Sequence, residues 1–128
     1  MQDGPLSSEE AGLELMRSML GQDVLDRLSV RNERFPAWQK WTTKILFGDL
    51  WQRPQLSLSQ RSMVTVSSLV ALGKPHELRI HLKAALTNGV SEEQLSEVIL
   101  QVGFYAGWPS AGEALNVFTE ILDEMNAT

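Results

Sequence analysis

The sequence predicts an all-α protein: a single-domain bundle of about six helices around a central helical hairpin. Apolar residues recur at three- and four-residue intervals along most of the chain, as they do on one face of a helix. Capping pairs, glycines and prolines divide these stretches at helical lengths. The β-branched run "VTVSSLV" follows a helix cap and continues an apolar stripe at helical spacing, which favours a helix over a strand.

Local signals predict the first helices. Residues 1–7 are a polar stretch, which we expect to be a flexible lead-in to the single domain of residues 1–128. Ser8 is the predicted N-cap of the first helix, and Gly21 ends it. The stretch "QDVLDRL" forms a short second helix, and a third runs from about Phe35 towards Phe47 with a proline in its first turn.

The caps of the hairpin define both of its helices. Ser57 and Gln60 have the spacing of a capping box, which begins a helix that ends at Leu72. Gly73 and Pro75 follow, a helix-ending and a helix-starting residue that leave room only for a tight connection. We therefore expect two antiparallel helices joined almost directly.

The last helices have equally clear boundaries. The second arm of the hairpin ends at Asn88 and Gly89, a pair suited to a left-handed helix end. Ser91 and Gln94 form a second capping box. The break at "GWPS" precedes a final amphipathic helix, which we expect to reach about Met125.

Composition limits the function. The net charge of −5, from 11 basic and 16 acidic residues, argues against a nucleic-acid partner. Without cysteine, the chain has no thiol nucleophile, disulfide or iron–sulfur ligand. The acidic start "MQDGPLSSEEAGLELM" lacks the apolar core of a secretion signal, and no apolar run has the length of a membrane span. We expect a cytoplasmic location.

His81 is the first candidate for chemistry. It borders the apolar face of the second hairpin helix, four residues after Glu77, so the two side chains lie one turn apart on the same face of the helix. A neighbouring carboxylate favours imidazolium and orients the ring, which suits a proton donor or a hydrogen-bond donor to an oxyanion. The alternative is a surface pair that stabilises the helix by roughly 0.2–0.5 kcal/mol. His76 lies on another face, so the histidines do not predict a metal site.

Arginines are candidates for binding a carboxylate, since the guanidinium group matches it with two hydrogen bonds. Arg53 lies in a loop beside Trp51, and Arg61 lies in the first turn of the hairpin. Arg79 is two residues from His81 and points elsewhere on its helix.

The aromatic residues divide into two groups. Trp38 and Trp41 are three residues apart on one helix, and we expect both in the core. Trp51 and Trp108 lie at breaks beside prolines, where aromatic side chains line pockets or interfaces as often as cores. Tyr105 is expected to make a core hydrogen bond or to line a pocket.

Four stretches come in a recognisable order within residues 47–115: "GDLWQRP", "RSMVT", "ELRIHLKAALTNGV" and "LQVGFYAGWP". They resemble the 4-carboxymuconolactone decarboxylase family. The resemblance implies an all-helical subunit that assembles as a trimer, or as a hexamer of two trimers, with active sites close to subunit contacts. It also implies a carboxy-lyase that converts 4-carboxymuconolactone into the β-ketoadipate enol-lactone during aromatic-compound catabolism, with no cofactor and no metal.

The resemblance also suggests roles for the candidate residues. His81, oriented by Glu77, is the candidate proton source or oxyanion hydrogen-bond donor. Arg53 and Arg61 are the candidates to bind the carboxylates of the substrate. Three aromatic residues are expected to support Arg53 or to line the pocket: Trp51, Tyr105 and Trp108.

Two departures from the family pattern matter. The wider alkylhydroperoxidase D-like superfamily uses a C-x-x-C-x-x-x-H site, and with His81 aligned this chain has Lys74 and Glu77 at the cysteine positions. That branch's thiol peroxidase chemistry is therefore excluded. Trp108 is bulky where smaller apolar residues are usual, which leaves open a decarboxylase or lactone hydrolase acting on another carboxylated lactone or keto-acid. A non-catalytic helical oligomer that binds a small acid is the third alternative.

Overall fold

The computed structural model describes residues 6–127, which form two compact units that divide between Leu56 and Ser57. The predicted lead-in, residues 1–7, falls outside the described residues except for Leu6 and Ser7. Every regular element in residues 6–127 is helical, which confirms the all-α class. Within the same residues, no helix has both the length and the apolar character needed to cross a bilayer.

The first unit contains three α-helices and two short helical turns. Their bounds are α1 Ser8–Leu20, α2 Gln22–Arg34, α3 Pro36–Trp41, a π-helical turn Thr42–Leu46 and a 3₁₀ turn Leu50–Gln52. Ser7, one residue before the predicted cap, accepts the hydrogen bond from the Glu10 N–H. Gly21 ends α1 as predicted, but α2 continues well beyond the predicted "QDVLDRL" stretch.

Two glycines let α1 lie directly against the π-helical turn. A Cβ atom at Gly12 would collide with the carbonyl oxygen of Thr43, and one at Gly48 would collide with the carbonyl oxygen of Ser8. Met16 is buried on the same helix. The backbone of α1 therefore lies closer to the backbone of residues 43–48 than any side chain at Gly12 or Gly48 would permit.

The expectation that Trp38 and Trp41 belong to the core is wrong, because their exposed fractions are 54% and 62%. Phe47 and Trp51 are buried instead, and their rings stack with centroids 5.7 Å apart. The helical spacing of Trp38 and Trp41 correctly predicted a shared face, but spacing does not say whether that face is covered.

The second unit consists of four helices: α4 Leu58–Leu72, α5 Pro75–Thr87, α6 Glu92–Ala106 and α7 Trp108–Asn126. Helix α4 packs against α5 and α6, and α7 packs against the same two helices. The buried core between them draws on all four helices, and its largest members are Leu78, Leu82, Leu95, Ile99, Phe118 and Ile121.

The predicted hairpin is confirmed in detail. Both hydrogen bonds of the Ser57–Gln60 capping box are present at the start of α4. Gly73 adopts the left-handed conformation at the end of α4, with φ at 64°, and Pro75 begins α5. The two arms of the hairpin are therefore joined by Gly73 and Lys74 alone.

The remaining predicted boundaries are also confirmed. Asn88 caps the end of α5, Gly89 has a φ of 94°, and the second capping box is complete at Ser91 and Gln94. The final helix ends one residue after the predicted Met125.

Candidate active site

His81 lies at the middle of α5, the second arm of the hairpin. Leu78, Leu82 and Ala85 of the same helix are buried in the core, and the His81 side chain is partly buried beside them. The predicted position at the edge of the apolar face is confirmed. The ring is therefore held on a rigid, well-packed helix rather than on a loop.

Burial lowers the pKa of the His81 imidazole below its usual value, because the charged form loses hydration. Glu77, which is exposed one turn earlier, raises the same pKa, but its effect is the smaller of the two. The prediction that the neighbouring carboxylate favours imidazolium agrees with the direction of the Glu77 effect, but burial outweighs that effect. His81 is neutral at neutral pH, with one ring nitrogen as a hydrogen-bond donor and the other as an acceptor.

Arg61 and His81 lie on the two arms of the same hairpin. Arg61 is the fourth residue of α4 and its side chain is partly buried. The next residue, Ser62, is linked to α5 by a hydrogen bond from the Asn88 side-chain amide to Oγ, 2.9 Å long. These two candidates thus lie on opposite arms of one packed hairpin in the second unit.

Arg79 has a structural role on another face of α5. Its guanidinium pairs with Glu120 and Glu124 of α7, and Lys83 pairs with Glu124 at 3.4 Å. These ion pairs and hydrogen bonds lower the pKa of the Glu124 carboxyl. The prediction that Arg79 points away from His81 agrees with these contacts.

Trp51 and Arg53 belong to the first unit. Trp51 is buried in the 3₁₀ turn and stacks on Phe47, and Arg53 follows as an exposed residue. The Arg53 backbone N–H donates to the Leu50 carbonyl oxygen at 3.2 Å. The buried Trp51 ring thus anchors the short turn that ends at Arg53.

Tyr105 lines a groove between α4 and α6 of about 810 Å³, and its side chain is 88% exposed. The expectation of a core hydrogen bond for Tyr105 is therefore wrong. Residues from α4 and α6 alone form the walls, so His81 of α5 is not among them. Sequence reasoning missed this groove, because its polar residues show no motif for a binding site: Ser67, Ser68, Glu93, Gln94, Glu97 and Gln101.

Trp108 begins α7 and packs at the corner between α6 and α7. Its ring lies 5.0 Å from the Phe104 ring, centroid to centroid, and it covers Gly103. A Cβ atom at Gly103 would come within 2.9 Å of a Trp108 ring carbon and within 2.7 Å of the Ala111 Cβ atom. The bulk of Trp108 is therefore accommodated by the missing side chain of Gly103.

Within residues 6–127, no group of three or more histidine, aspartate and glutamate side chains is arranged to hold a metal ion. His81 and Arg61, on the two arms of the hairpin, remain the candidate residues of the second unit.

These features describe an all-helical protein in which a helical hairpin carries the candidate catalytic side chains. The model of the carboxymuconolactone decarboxylase family matches residues 36–120. The chain belongs to that family and is a carboxy-lyase.

Three relatives extend the comparison. The 4-carboxymuconolactone decarboxylase of Acinetobacter baylyi is 36% identical over 89% of this chain and 86% of its own length. The nitrosuccinic acid decarboxylase npaB of Metarhizium robertsii is 29% identical over 91% of this chain and 82% of its own length. An uncharacterized 15.0 kDa protein of Paracoccus denitrificans is 27% identical over 61% of this chain and 60% of its own length.

Proposed function

We propose that this chain decarboxylates 4-carboxymuconolactone to the β-ketoadipate enol-lactone in aromatic-compound catabolism, without a cofactor. The observation that carries the proposal is the 36% identity to the Acinetobacter baylyi enzyme over 89% of the chain. The position of His81, partly buried on a packed hairpin helix, supports it.

The substrate itself supplies the electron sink for this reaction. The bond between the ring carbon and its carboxylate breaks, carbon dioxide leaves, and the electron pair moves through the ring alkene to the lactone carbonyl oxygen. The resulting dienolate takes a proton at the carbon beside the carbonyl and becomes the enol-lactone. The protein has to hold the substrate, stabilise the oxyanion and supply that proton.

His81 suits the oxyanion role because its imidazole is neutral. A neutral ring donates an N–H to the lactone oxygen as negative charge develops there, and fixed donors of this kind stabilise a transition state strongly. The carboxylates of a bound substrate raise the pKa of a nearby imidazole. Substrate binding therefore makes His81 a better proton carrier than it is in the free protein, while Glu77 acts in the same direction.

Arg61 is the proposed partner for one substrate carboxylate, since it lies on the other arm of the hairpin that carries His81. Arg53 remains a proposed substrate-binding residue of the first unit, and the buried Trp51 ring supports its turn. Tyr105, in the groove between α4 and α6, and Trp108, at the start of α7, remain proposed substrate-binding residues on the strength of the family resemblance. An arginine bound to one carboxylate of the substrate fixes which carboxylate is placed for loss.

A second candidate substrate class is favoured by the similarity to a nitrosuccinic acid decarboxylase. Nitrosuccinic acid and 4-carboxymuconolactone share a chemical fragment. In each, one carbon carries a carboxylate, a carboxymethyl group and an electron-withdrawing group, which is a nitro group in one and an unsaturated lactone in the other. The second candidate is therefore decarboxylation of another substituted succinate that carries its own electron sink.

The deciding experiment assays purified protein with 4-carboxymuconolactone, generated in situ from 3-carboxymuconate, and with nitrosuccinate. Carbon dioxide release and product formation are followed together. We expect turnover of the lactone that falls at least about a hundredfold in a folded His81→Gln variant, the low end for an acid–base residue. His76→Gln is the matched control, because His76 is exposed in the first turn of the same helix.

The outcomes separate the alternatives. Faster turnover of nitrosuccinate selects the second candidate. Hydrolysis of the lactone without release of carbon dioxide would indicate a lactone hydrolase. Binding of either compound without any turnover would indicate a small-acid-binding protein, and full activity of His81→Gln would remove the central residue of the proposal.

We also propose that the protein is cytoplasmic, that its two compact units belong to one domain, and that its subunits assemble as a trimer or a hexamer. The exposed aromatic side chains at the end of α6 support an interface, because Phe104 and Tyr105 are 82% and 88% exposed and Phe104 packs on the exposed Trp108. Large apolar side chains grouped in this way are typical of association surfaces. Light scattering measures the mass, and Phe104→Lys is expected to lower it, whereas Asn116→Lys on exposed α7 surface is not.

A further inference from the structure

Ser62 has a role that sequence motifs do not reveal. Its side chain is 1% exposed, in the second turn of α4. Three later hydroxyl side chains of α4, those of Thr65, Ser67 and Ser68, donate back to carbonyl oxygens of their own helix. Ser62 Oγ instead accepts a hydrogen bond from the side chain of Asn88, the C-cap of α5, across 26 residues of sequence.

The backbone of Asn88 is fixed at the end of α5. Its N–H donates to the Ala84 carbonyl oxygen at 2.9 Å. Two further hydrogen bonds, from the Gly89 N–H to Leu86 and from the Val90 N–H to Ala85, close the helix end. The side-chain amide that reaches Ser62 therefore starts from a rigid position.

The bond between Ser62 and Asn88 closes the open end of the hairpin. At the other end, Gly73 and Lys74 join the arms, and the Lys74 N–H donates to the Leu69 carbonyl oxygen at 3.1 Å. Hydrogen bonds therefore connect the two helices at both ends of the hairpin. A shift of one helix along the other by one residue would correspond to about 1.5 Å.

Both candidate side chains are close to this link along their helices. Arg61 is the immediate neighbour of Ser62, and His81 lies on α5 seven residues, or two turns, before the C-cap Asn88. Catalysis is sensitive to displacements of about 1 Å between a substrate anchor and a reacting group.

We propose that Ser62 and Asn88 are a positioning pair that sets the register of His81 against Arg61. This inference rests on the proposed function, in which Arg61 holds the substrate and His81 acts on it. Loss of the pair leaves both side chains present but misaligned. Turnover therefore falls while substrate binding changes little.

The kinetic test compares Ser62→Ala, Asn88→Ala and the double variant at a temperature well below their Tm. We expect each single variant to lower kcat about tenfold with a nearly unchanged KM, and the double variant to fall no further than either single one. The control is Thr87→Ala, an exposed neighbour of Asn88 whose hydroxyl bonds the Lys83 carbonyl oxygen. A lower Tm with wild-type kcat in both single variants would overturn the proposal.

A second readout does not depend on activity. The chain has two histidines, so the ring signals of His81 and His76 can be assigned by NMR from single variants. We expect the His81 signal to move in Ser62→Ala and Asn88→Ala while the His76 signal stays. If the His81 signal does not move, the proposed role of Ser62 and Asn88 is overturned. If the signal moves but the protein turns over neither substrate, the role of the pair stands and the proposed function is excluded.

Discussion

Glu77 and His81 lie one turn apart on α5, and the burial of His81 affects its pKa more than the charge of Glu77 does. The two effects have opposite signs, and the net result is a neutral imidazole at neutral pH. A histidine in this state donates one hydrogen bond without carrying a charge into the apolar edge of the hairpin. This relationship leads to two predictions about pH and charge.

The first prediction concerns stability at acidic pH. The folded chain resists protonation of His81, whereas the unfolded chain takes up the proton near the usual pKa of about 6.5. The free energy of unfolding is therefore expected to fall as the pH drops below about 6.5, and His81→Gln is expected to lose this part of the pH dependence. Urea unfolding at pH 7.5 and 5.5 measures the effect. An equal pH dependence in wild type and His81→Gln would contradict it.

The second prediction concerns Glu77. Because its carboxylate raises the pKa of His81, Glu77→Gln is expected to lower that pKa further. An NMR titration of the His81 ring measures the shift directly. Glu93→Gln on α6 is a suitable control, since Glu93 does not contribute to the His81 pKa. A raised pKa in Glu77→Gln would show that Glu77 does not act through its charge.

The third prediction compares two arginines of the second unit. Arg61→Ala is expected to raise KM roughly 10–100-fold, because a hydrogen bond to a charged group contributes about 1.5–3 kcal/mol. Arg79→Ala is the matched control, since Arg79 is engaged by Glu120 and Glu124. Steady-state kinetics with the lactone, together with a thermal melt of each variant, decide the comparison. Equal KM values for the two variants would exclude Arg61 as the substrate anchor.

The fourth prediction concerns Gly103, which lies against Trp108. Gly103→Ala places a methyl group 2.7 Å from the Ala111 Cβ atom and 2.9 Å from the Trp108 ring. Overpacking of this kind is expected to destabilise the fold by about 1–3 kcal/mol. Urea unfolding measures it, with Gly112→Ala as the control.

That control is expected to have the opposite sign. A Cβ atom at Gly112 meets no heavy atom within 4 Å, and Gly112 lies inside α7. Alanine there is expected to stabilise the helix by up to about 1 kcal/mol. If Gly103→Ala and Gly112→Ala change the free energy of unfolding equally, the close packing of Trp108 on Gly103 is not the reason that position 103 disfavours a larger residue.

Helix boundaries were predictable wherever a local signal decides them. The Ser57–Gln60 and Ser91–Gln94 boxes are formed by residues three positions apart, so their hydrogen bonds depend on little beyond the sequence itself. Gly73 determines the hairpin connection in the same local way. The end of α2 lacked such a signal, and its prediction was too short.

Burial and pairing between helices were harder to predict. Trp38 and Trp41 show helical spacing but are exposed. Periodicity identifies residues that share a helix face, and it does not say whether another element packs on that face. The bond between Ser62 and Asn88 spans 26 residues and joins residue types that usually occur on surfaces. The lowered pKa of His81 depends on burial in the folded chain, which the sequence did not predict. From the spacing, only the opposing effect of Glu77 could be predicted.

The close contact of α1 with the π-helical turn has a consequence for mutational tolerance. At Gly12 and Gly48 the obstacle to a side chain is a backbone carbonyl oxygen, which cannot rotate away as a neighbouring side chain would. In a library that samples every amino acid at each position, selection for folded protein should return glycine alone at these two sites. Gly112, with open space around its Cβ position, should return a broad mixture.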